Sequence, residues 1–329
     1  MVFYNPRSRN VRFSPAAWTA PQVELREVPI PTFSLKEQVL LPWIARRHGV
    51  QILHSPYYVK PYFLTCPSVV TIHDIIPSRY PEYLPSWKTR LSYSIAMRLA
   101  IGTATLVIAD SQGTREDMAH YFGIPPTKVR VVPLAADEFQ GGESSPQPPP
   151  QGSYILSVGI NKPHKNLLRL LEAYAQAQVS LPLVIAGRED SRFPLLRDAV
   201  RTLGLEERVT LAGEVGEERL QRLYLEAAFF VFPSLAEGFG LPPLEAMASG
   251  VPVIASRIPV VTEVVGDAAL LVDPESATDM AQAINRLAAD GQLRASLQAR
   301  GLARAKLFSW RETARKTWEV YQEVLGDRG

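Results

Sequence analysis

Residues 234–256, SLAEGFGLPPLEAMASGVPVIAS, decide how the rest of the chain is read. The apolar run AFFVF at 228–232 comes just before them and has the length and content of a buried strand. Glu237 then opens a tight turn through Gly238, Phe239 and Gly240, where missing side chains permit positive φ and close approach of backbone to a ligand. Pro242 and Pro243 suit the first turn of a helix, because the N–H that each lacks would have no partner there. Gly250 is a stop signal, and 251–255 reads as another buried strand. The spacing predicts Glu245 in the first helical turn, eight residues after Glu237, near free amides and the positive end of the helix dipole. Carboxylates framing such a turn can accept paired hydrogen bonds from vicinal sugar hydroxyls, and the amides between them suit phosphate. Taken alone, Glu245 reads more readily as a dipole-complementing residue and the glycines as a plain turn.

At 329 residues the chain is long enough for two α/β domains with separate cores. Its 46% apolar and 21% charged composition is that of an ordinary soluble protein, and a net charge of +2 gives no case for nucleic acid. The charge is uneven. Residues 1–140 carry 15 basic and 10 acidic side chains and the remainder 20 and 23, which leaves +5 and −3. The basic half can meet an anionic acceptor or a membrane surface as a peripheral contact, and a solvated face explains it equally well. Cys66 is the single cysteine, so no intrachain disulfide forms and a reducing compartment is implied. No apolar run approaches a membrane span and the polar start is not a signal peptide, so the expectation is a cytoplasmic protein, working at most against the inner face of the membrane.

The first 48 residues hold no glycine and give only a weak strand over 23–30. From Val50 the pattern sharpens into strands at 51–54 and 68–72, the second leading directly into His73 and Asp74. Ser86 can cap a helix running to about Gly102, a strand at 105–109 ends at Asp110, and Ser111 can cap the next helix before a strand at 129–132. Residues 141–152, GGESSPQPPPQG, contain four prolines and cannot join a core; they read as a semi-stiff linker. A second alternation follows, with strands at 154–158, 183–186, 209–211, 228–232, 251–255 and 268–272, and helices beginning at Leu167, Pro194 and Glu217. Helices at 277–289, 293–306 and 310–325 complete it. The second half is a doubly wound Rossmann-like domain.

Two further loops carry candidate chemistry. VGINKPHKN, at 158–166, joins a strand end to a helix start, where Lys165 can reach a phosphate. His73 stands at the strand edge where α/β sheets place ligands, with no second histidine or cysteine at metal-ligand spacing. An isolated lysine or histidine in such places is more often solvated or structural. A Ser-His-Asp hydrolase is set aside because no G-x-S-x-G elbow is present, and a dinucleotide fold because Pro243 stands where the fingerprint needs its third glycine.

The opening string resembles the E-x7-E signature of the family 4 glycosyltransferases of GT-B fold: Glu237, GFGLPPL, Glu245, then AMASGVPVIAS. VVTIHDIIPSRYPEY, YFGIPPTKVRVVPLAAD and VTEVVGDAALLVDPES add to the likeness, which runs from about residue 35 to about residue 320. The resemblance implies an α/β GT-B chain, two Rossmann-like doubly wound domains with a cleft between them. It implies an acceptor-side domain over 1–140, the 141–152 linker, a nucleotide-sugar domain over 153–309, and a 310–329 helix packing back on the first domain. It further implies a retaining hexosyltransferase, resembling bacterial mannosyltransferases, that needs no metal and moves sugar from a donor such as GDP-mannose to a glycan or lipid-linked acceptor. In that scheme His73 and Glu237 are catalytic, facing the transferred sugar. Lys165, Gly238, Phe239, Gly240, Leu241 and Glu245 bind the donor, Lys165 and the amides at the diphosphate and Glu245 at the ribose. The arginine that many members carry after the glycine matching Gly159 is replaced by Ile160 and Asn161, so phosphate contact falls on Lys165, with Lys162 or Arg188 as substitutes. The family's opening strand and glycine loop have no counterpart before the weak strand. The expectation is therefore either a chain short by about forty residues, one strand-loop-helix unit, or a degenerate start. The rival readings are a nucleotide-sugar-binding scaffold without transfer, favoured by the glycine-free start, and a sugar-nucleotide epimerase, disfavoured by E-x7-E.

Overall fold

The computed structural model describes residues 1–5, 20–31, 34–136 and 154–326; the expected linker at 141–152 lies outside them. In chain order the elements are β1 (Val2–Tyr4), β2 (Leu25–Glu27), α1 (Leu35–Arg47), β3 (Leu53–Ser55), β4 (Ser68–Ile72), α2 (Ile76–Arg79), α3 (Trp87–Thr103), β5 (Leu106–Ala109), α4 (Gln112–Phe122) and β6 (Val129–Val131). They continue with β7 (Tyr154–Val158), α5 (Leu167–Gln176), β8 (Leu183–Ala186), α6 (Leu196–Thr202), β9 (Val209–Gly213), α7 (Glu217–Glu226), β10 (Ala227–Phe232), α8 (Leu241–Ala248), β11 (Val253–Ser256), α9 (Pro259–Val265), β12 (Ala269–Val272), α10 (Ala277–Ala289), α11 (Gly291–Ala305) and α12 (Trp310–Gly326). The chain divides into two compact units. Met1–Ile72, Pro85–Val107 and Val320–Gly329 form the first; His73–Leu84 and Ile108–Glu319 form the second.

In the first unit β1 pairs in parallel with β2, so a strand does stand ahead of the one expected over 23–30, contrary to the expectation that none precedes it; β3 pairs in parallel with β4. All five residues of β4, SVVTI, are buried, since a parallel strand is covered on both faces. Helix starts follow the side-chain chemistry: Ser34 accepts from the Glu37 amide to cap α1, and Ser86 with Thr89 forms a reciprocal capping box on α3. The end of α12 is tied into this unit by His54, whose Nδ1 meets the Tyr321 hydroxyl at 2.6 Å and whose Nε2 meets Thr71 Oγ1 at 2.8 Å.

The second unit holds a six-stranded sheet in the order β12-β11-β10-β7-β8-β9, parallel at every pairing. Alternation along the strands sends Ile155, Phe229, Val231 and Ile254 into a core with α5 and α10, and Leu156, Phe230, Phe232 and Val253 into the opposite one with α8 and α9. The chain runs outward from β7 through β8 and β9, then returns to β10 on the other flank. The sheet order reverses between β7 and β10, and the loops leaving their C-terminal ends meet at that switch point, where open α/β sheets bind ligands.

The strands of the second unit fall where the apolar runs place them, and the last three helices start within two residues of their expected positions. Two departures matter. Helix α1 occupies a region that read as almost featureless, and α8 begins at Leu241 with Gly240 as its N-cap at φ +105°. Glu245 is therefore the fifth residue of α8, and no acidic side chain lies in its first turn.

Backbone proximity also fixes the rim of the sheet. Gly187, after β8, has φ +146°, and a Cβ there would lie 2.1 Å from the carbonyl oxygen of Gly159. Gly204 also has positive φ, +64°, but open space around it. Gly187→Ala is expected to cost more than about 2 kcal/mol in urea unfolding, because strain and a backbone clash add, whereas Gly204→Ala should cost about 1 kcal/mol. Equal losses would show that the rim loops simply move apart.

Candidate functional site

Lys165 closes a 3-10 turn, Pro163–Lys165, just beyond β7. Asn166 follows at φ +55°, the one described non-glycine residue with positive φ. Its side-chain Nδ2 donates to the Pro233 carbonyl at 3.0 Å and to that of Pro274 at 2.7 Å, which stabilises the unusual backbone and binds this loop to the segment after β10. Leu235 N–H donates to the His164 carbonyl at 2.7 Å, a second stitch between the same two segments. The result is an ion pair: Lys165 Nζ lies 2.7 Å from Glu237 Oε1, with both side chains largely buried. Lys165 also lies over the Phe232 ring, 5.6 Å from its centroid.

The turn after Glu237 is clamped from the other side. The Gly238 carbonyl accepts from Ser111 Oγ at 2.7 Å and from Thr114 Oγ1 at 2.9 Å. A Cβ on Gly238 would lie 2.0 Å from the His73 carbonyl oxygen, so only glycine permits this approach. Thus His73, Gly238, Glu237 and Lys165 form one continuous neighbourhood. Phe239 turns inward, packing with Leu244 and Val264 and edge-on to Phe308, ring centroids 5.8 Å apart. What Phe239 and the flanking Gly240 and Leu241 offer a ligand is backbone. Glu245 receives the Tyr224 hydroxyl at 2.8 Å, and burial together with that carboxylate pushes the Tyr224 hydroxyl well above its ordinary pKa.

His73 is oriented by a residue that sequence reasoning passed over. Its Nδ1 lies 2.7 Å from Asp110 Oδ2, and Asp110 is almost fully buried. With Nδ1–H donated to the carboxylate, Nε2 becomes the acceptor nitrogen of the neutral ring. Burial raises the Asp110 carboxyl pKa and the His73 hydrogen bond pulls it back; its second oxygen is buried without a hydrogen-bond partner among the described residues. The signal was available: Asp110 and His73 each follow the last residue of a strand, β5 and β4. Among the described residues no group of three or more His, Cys, Asp or Glu side chains is placed to hold a metal ion.

Comparison with known proteins gives this arrangement its family. The model described as Glycosyltransferase Family 4 matches residues 3–138, and that described as Glycosyl transferases group 1 matches 143–304. The O-antigen chain mannosyltransferase B of Escherichia coli is 33% identical over 85% of this chain and 76% of its own length. The chain belongs to the family 4 glycosyltransferases. The O-antigen chain mannosyltransferase RfbU of Salmonella typhimurium is 32% identical over 66% of this chain, which spans 60% of that relative's length. Among solved structures, Anabaena HepE in complex with UDP and glucose superposes with a TM-score of 0.74 at 21% identity, covering 91% of this chain and 86% of that one. Sucrose-phosphate synthase of Thermosynechococcus elongatus gives 0.71 at 23% identity, with 87% and 77% covered. This glycosyltransferase therefore has the GT-B fold, built on two Rossmann-like domains.

Beside Lys165, His164 is buried, its Nδ1 2.7 Å from the Tyr83 hydroxyl, which also accepts the His164 amide at 3.0 Å. Burial, with Lys165 and Lys162 nearby, lowers the imidazole pKa to about 3, and burial raises Tyr83 to about 12. Tyr83 therefore donates to a neutral ring and pins the turn that carries Lys165. Unfolded, the ring would bind a proton below pH about 6.5. Its neutral burial is thus without penalty above that pH and costs about 1.4 kcal/mol for each unit of acidification from there toward 3. Urea midpoints taken between pH 7 and 4 should fall more steeply for the native protein than for His164→Asn, whose amide can still meet Tyr83. Parallel slopes would show that the ring stays protonated when folded.

Proposed function

We propose that this glycosyltransferase moves a hexose, mannose in our reading, from a nucleotide sugar such as GDP-mannose to a hydroxyl of a glycan or lipid-linked saccharide, with retention at the anomeric carbon. The observation that carries the reading is the Lys165–Glu237 pair at the switch point of the sheet, 2.7 Å apart and joined through the clamped Gly238 to His73. Mannose and a bacterial surface glycan are supported by the activity named for the two relatives, both O-antigen chain mannosyltransferases.

In this proposal the bond from the sugar carbon to the diphosphate oxygen breaks, the acceptor oxygen takes its place, and negative charge collects on the departing diphosphate, whose oxygen takes up the proton that the acceptor hydroxyl loses. Lys165, the amides of Gly238 to Leu241 and the start of α8 meet that charge, which grows as the bond lengthens. Lys165 then exchanges its Glu237 partner for phosphate, and Glu237 becomes available to a sugar hydroxyl. Glu245, held by Tyr224, accepts from the ribose diol. His73, held by Asp110, addresses the sugar from the opposite side through Nε2. We assign donor binding to the domain over 153–309, acceptor binding to that over 1–140, and no metal to the reaction. No described helix is long and apolar enough to cross a membrane, and we place the work in the cytoplasm, at the membrane face.

Lys165→Ala should lower kcat by about a hundredfold while changing donor affinity less than tenfold, because its main contribution comes as charge develops. EDTA should leave the native rate unchanged; activity lost to a chelator and restored by magnesium or manganese would overturn the metal-free assignment.

Glu245→Gln should weaken donor binding by roughly 1.5 to 3 kcal/mol, the worth of a charge-assisted hydrogen bond, and leave the melting temperature nearly unaltered. Calorimetry with GDP-mannose, then with the UDP-sugars, measures this, and an unchanged affinity for the cognate donor would remove Glu245 from the site.

A further inference from the structure

The stretch GREDSRFPLLR, at 187–197 beyond β8, carries three arginines, and two of them are spent on their own loop. Arg192 forks onto Asp190, Nε to Oδ1 at 3.0 Å and Nη2 to Oδ2 at 2.6 Å, and Arg197 Nη2 meets Glu189 Oε2 at 2.9 Å. Arg188 is exposed and makes no hydrogen bond or ion pair among the described residues.

The loop that carries Arg188 is fastened to the loop that carries Lys165. Asn161 is buried between them and uses its side-chain oxygen and both of its donor hydrogens. Oδ1 accepts the Asp190 N–H at 2.5 Å, and Nδ2 donates to the carbonyls of Asp190 and Pro194, each at 3.1 Å. Gly187 lies against the Gly159 carbonyl, and a Cβ on Gly159 would in turn lie 3.7 Å from Lys165 Cγ. The lysine stem therefore runs past the glycine on which Gly187 rests. Arg188 comes next, one Cα spacing of about 3.8 Å further on. Its backbone is held close to the Lys165 stem while its guanidinium is left unbound.

Charge gives that arrangement a use. On the reading proposed above, a nucleoside diphosphate meets Lys165, which already holds Glu237 at 2.7 Å, so the pair as it stands is neutral. A diphosphate brings more negative charge than one ammonium can answer, and the excess grows as the sugar leaves. Asn161 has no donor left to help. Lys162 is engaged elsewhere, its Nζ over the Tyr83 ring at 5.4 Å from the centroid. A guanidinium offers phosphate two parallel N–H groups, and one without a partner gives up no other contact to do so.

We propose that Arg188 is the second cation on the donor diphosphate, and that Asn161 is a positioning residue that acts through it by locking the β8–α6 loop against the Lys165 loop. The inference rests on the reading of the Lys165 site as a nucleotide-sugar site and adds to it a ligand from a different strand end.

Calorimetry on the full chain compares GDP and UDP with the matching monophosphates, GMP and UMP. Arg188→Ala is expected to weaken the cognate diphosphate by about tenfold or more and the monophosphate by less than about threefold, with unchanged thermal melting. Arg188→Lys should recover part of the loss, since it keeps the charge without the fork. Asn161→Ala should also lose more affinity for diphosphate than for monophosphate, and should add less than about twofold when combined with Arg188→Ala, because the two substitutions act on one contact. Asn161→Ala losses that fall alike on both ligands, or that multiply with those of Arg188→Ala, would overturn the positioning role. If the native chain binds a nucleoside diphosphate and Arg188→Ala binds it within about twofold, the assignment of Arg188 is overturned and the donor-site reading stands; a selective loss on Lys162→Ala in its place has the same meaning. A native chain that binds neither nucleoside diphosphate overturns both.

Discussion

The candidate site depends on a close approach that a single methyl group would forbid. Gly238 lies with its α-carbon against the His73 carbonyl, and its own carbonyl is held by the Ser111 and Thr114 hydroxyls. Hydroxyl donors can hold a carbonyl only when the backbone comes near enough, and the backbone comes near enough only without Cβ. Once Gly238 is fixed, the direction of Glu237 is fixed too, and the two stitches from Leu235 and Asn166 bring the Lys165 loop to meet it. The ion pair is thus a consequence of backbone packing and not the cause of it, which is the order of events expected of a preorganised site.

Several buried polar groups serve the same end without touching a ligand. Asn166 stabilises its left-handed backbone with both of its amide donors, Tyr83 holds His164 as a neutral ring, and Asp110 holds the ring of His73. Each is a long-range pair, with its members far apart in the chain. Removing the partly exposed His73 would leave the buried Asp110 carboxylate unsatisfied, and removing Tyr83 would do the same to the buried His164 ring, a cost greater than the net worth of the hydrogen bond itself.

Much of the second unit was legible in the sequence because its strands are short apolar runs, buried on both faces and punctuated by glycine and proline. Tyr154–Val158 and Leu183–Ala186 begin and end where the apolar residues do. Local signals also carried the helix caps at Ser86 and Ser111. Three things escaped. Helix α1 was hidden because its outer face is as apolar as its inner one and Pro42 interrupts it, so no polar stripe marks a period. The true start of α8 depended on Gly240 taking a left-handed cap, which moved Glu245 into the second turn. The partners Asp110, Tyr83 and Tyr224 are set by tertiary contact, to which one-dimensional spacing is blind; the strand-end position of Asp110 was the only local hint.

A helix start is where stray anions collect, and at α4 the chain supplies its own. Both carboxylate oxygens of Glu263 accept from the Gln112 amide, at 3.0 and 2.9 Å, while Arg304 grips the backbone carbonyls of Glu263 and Val264. The positive end of α4 is therefore quenched from within before any solute arrives. A phosphate drifting over this part of the molecule meets a dipole already partnered by a carboxylate, so that α4 does not compete for the anion that our proposal assigns to Lys165.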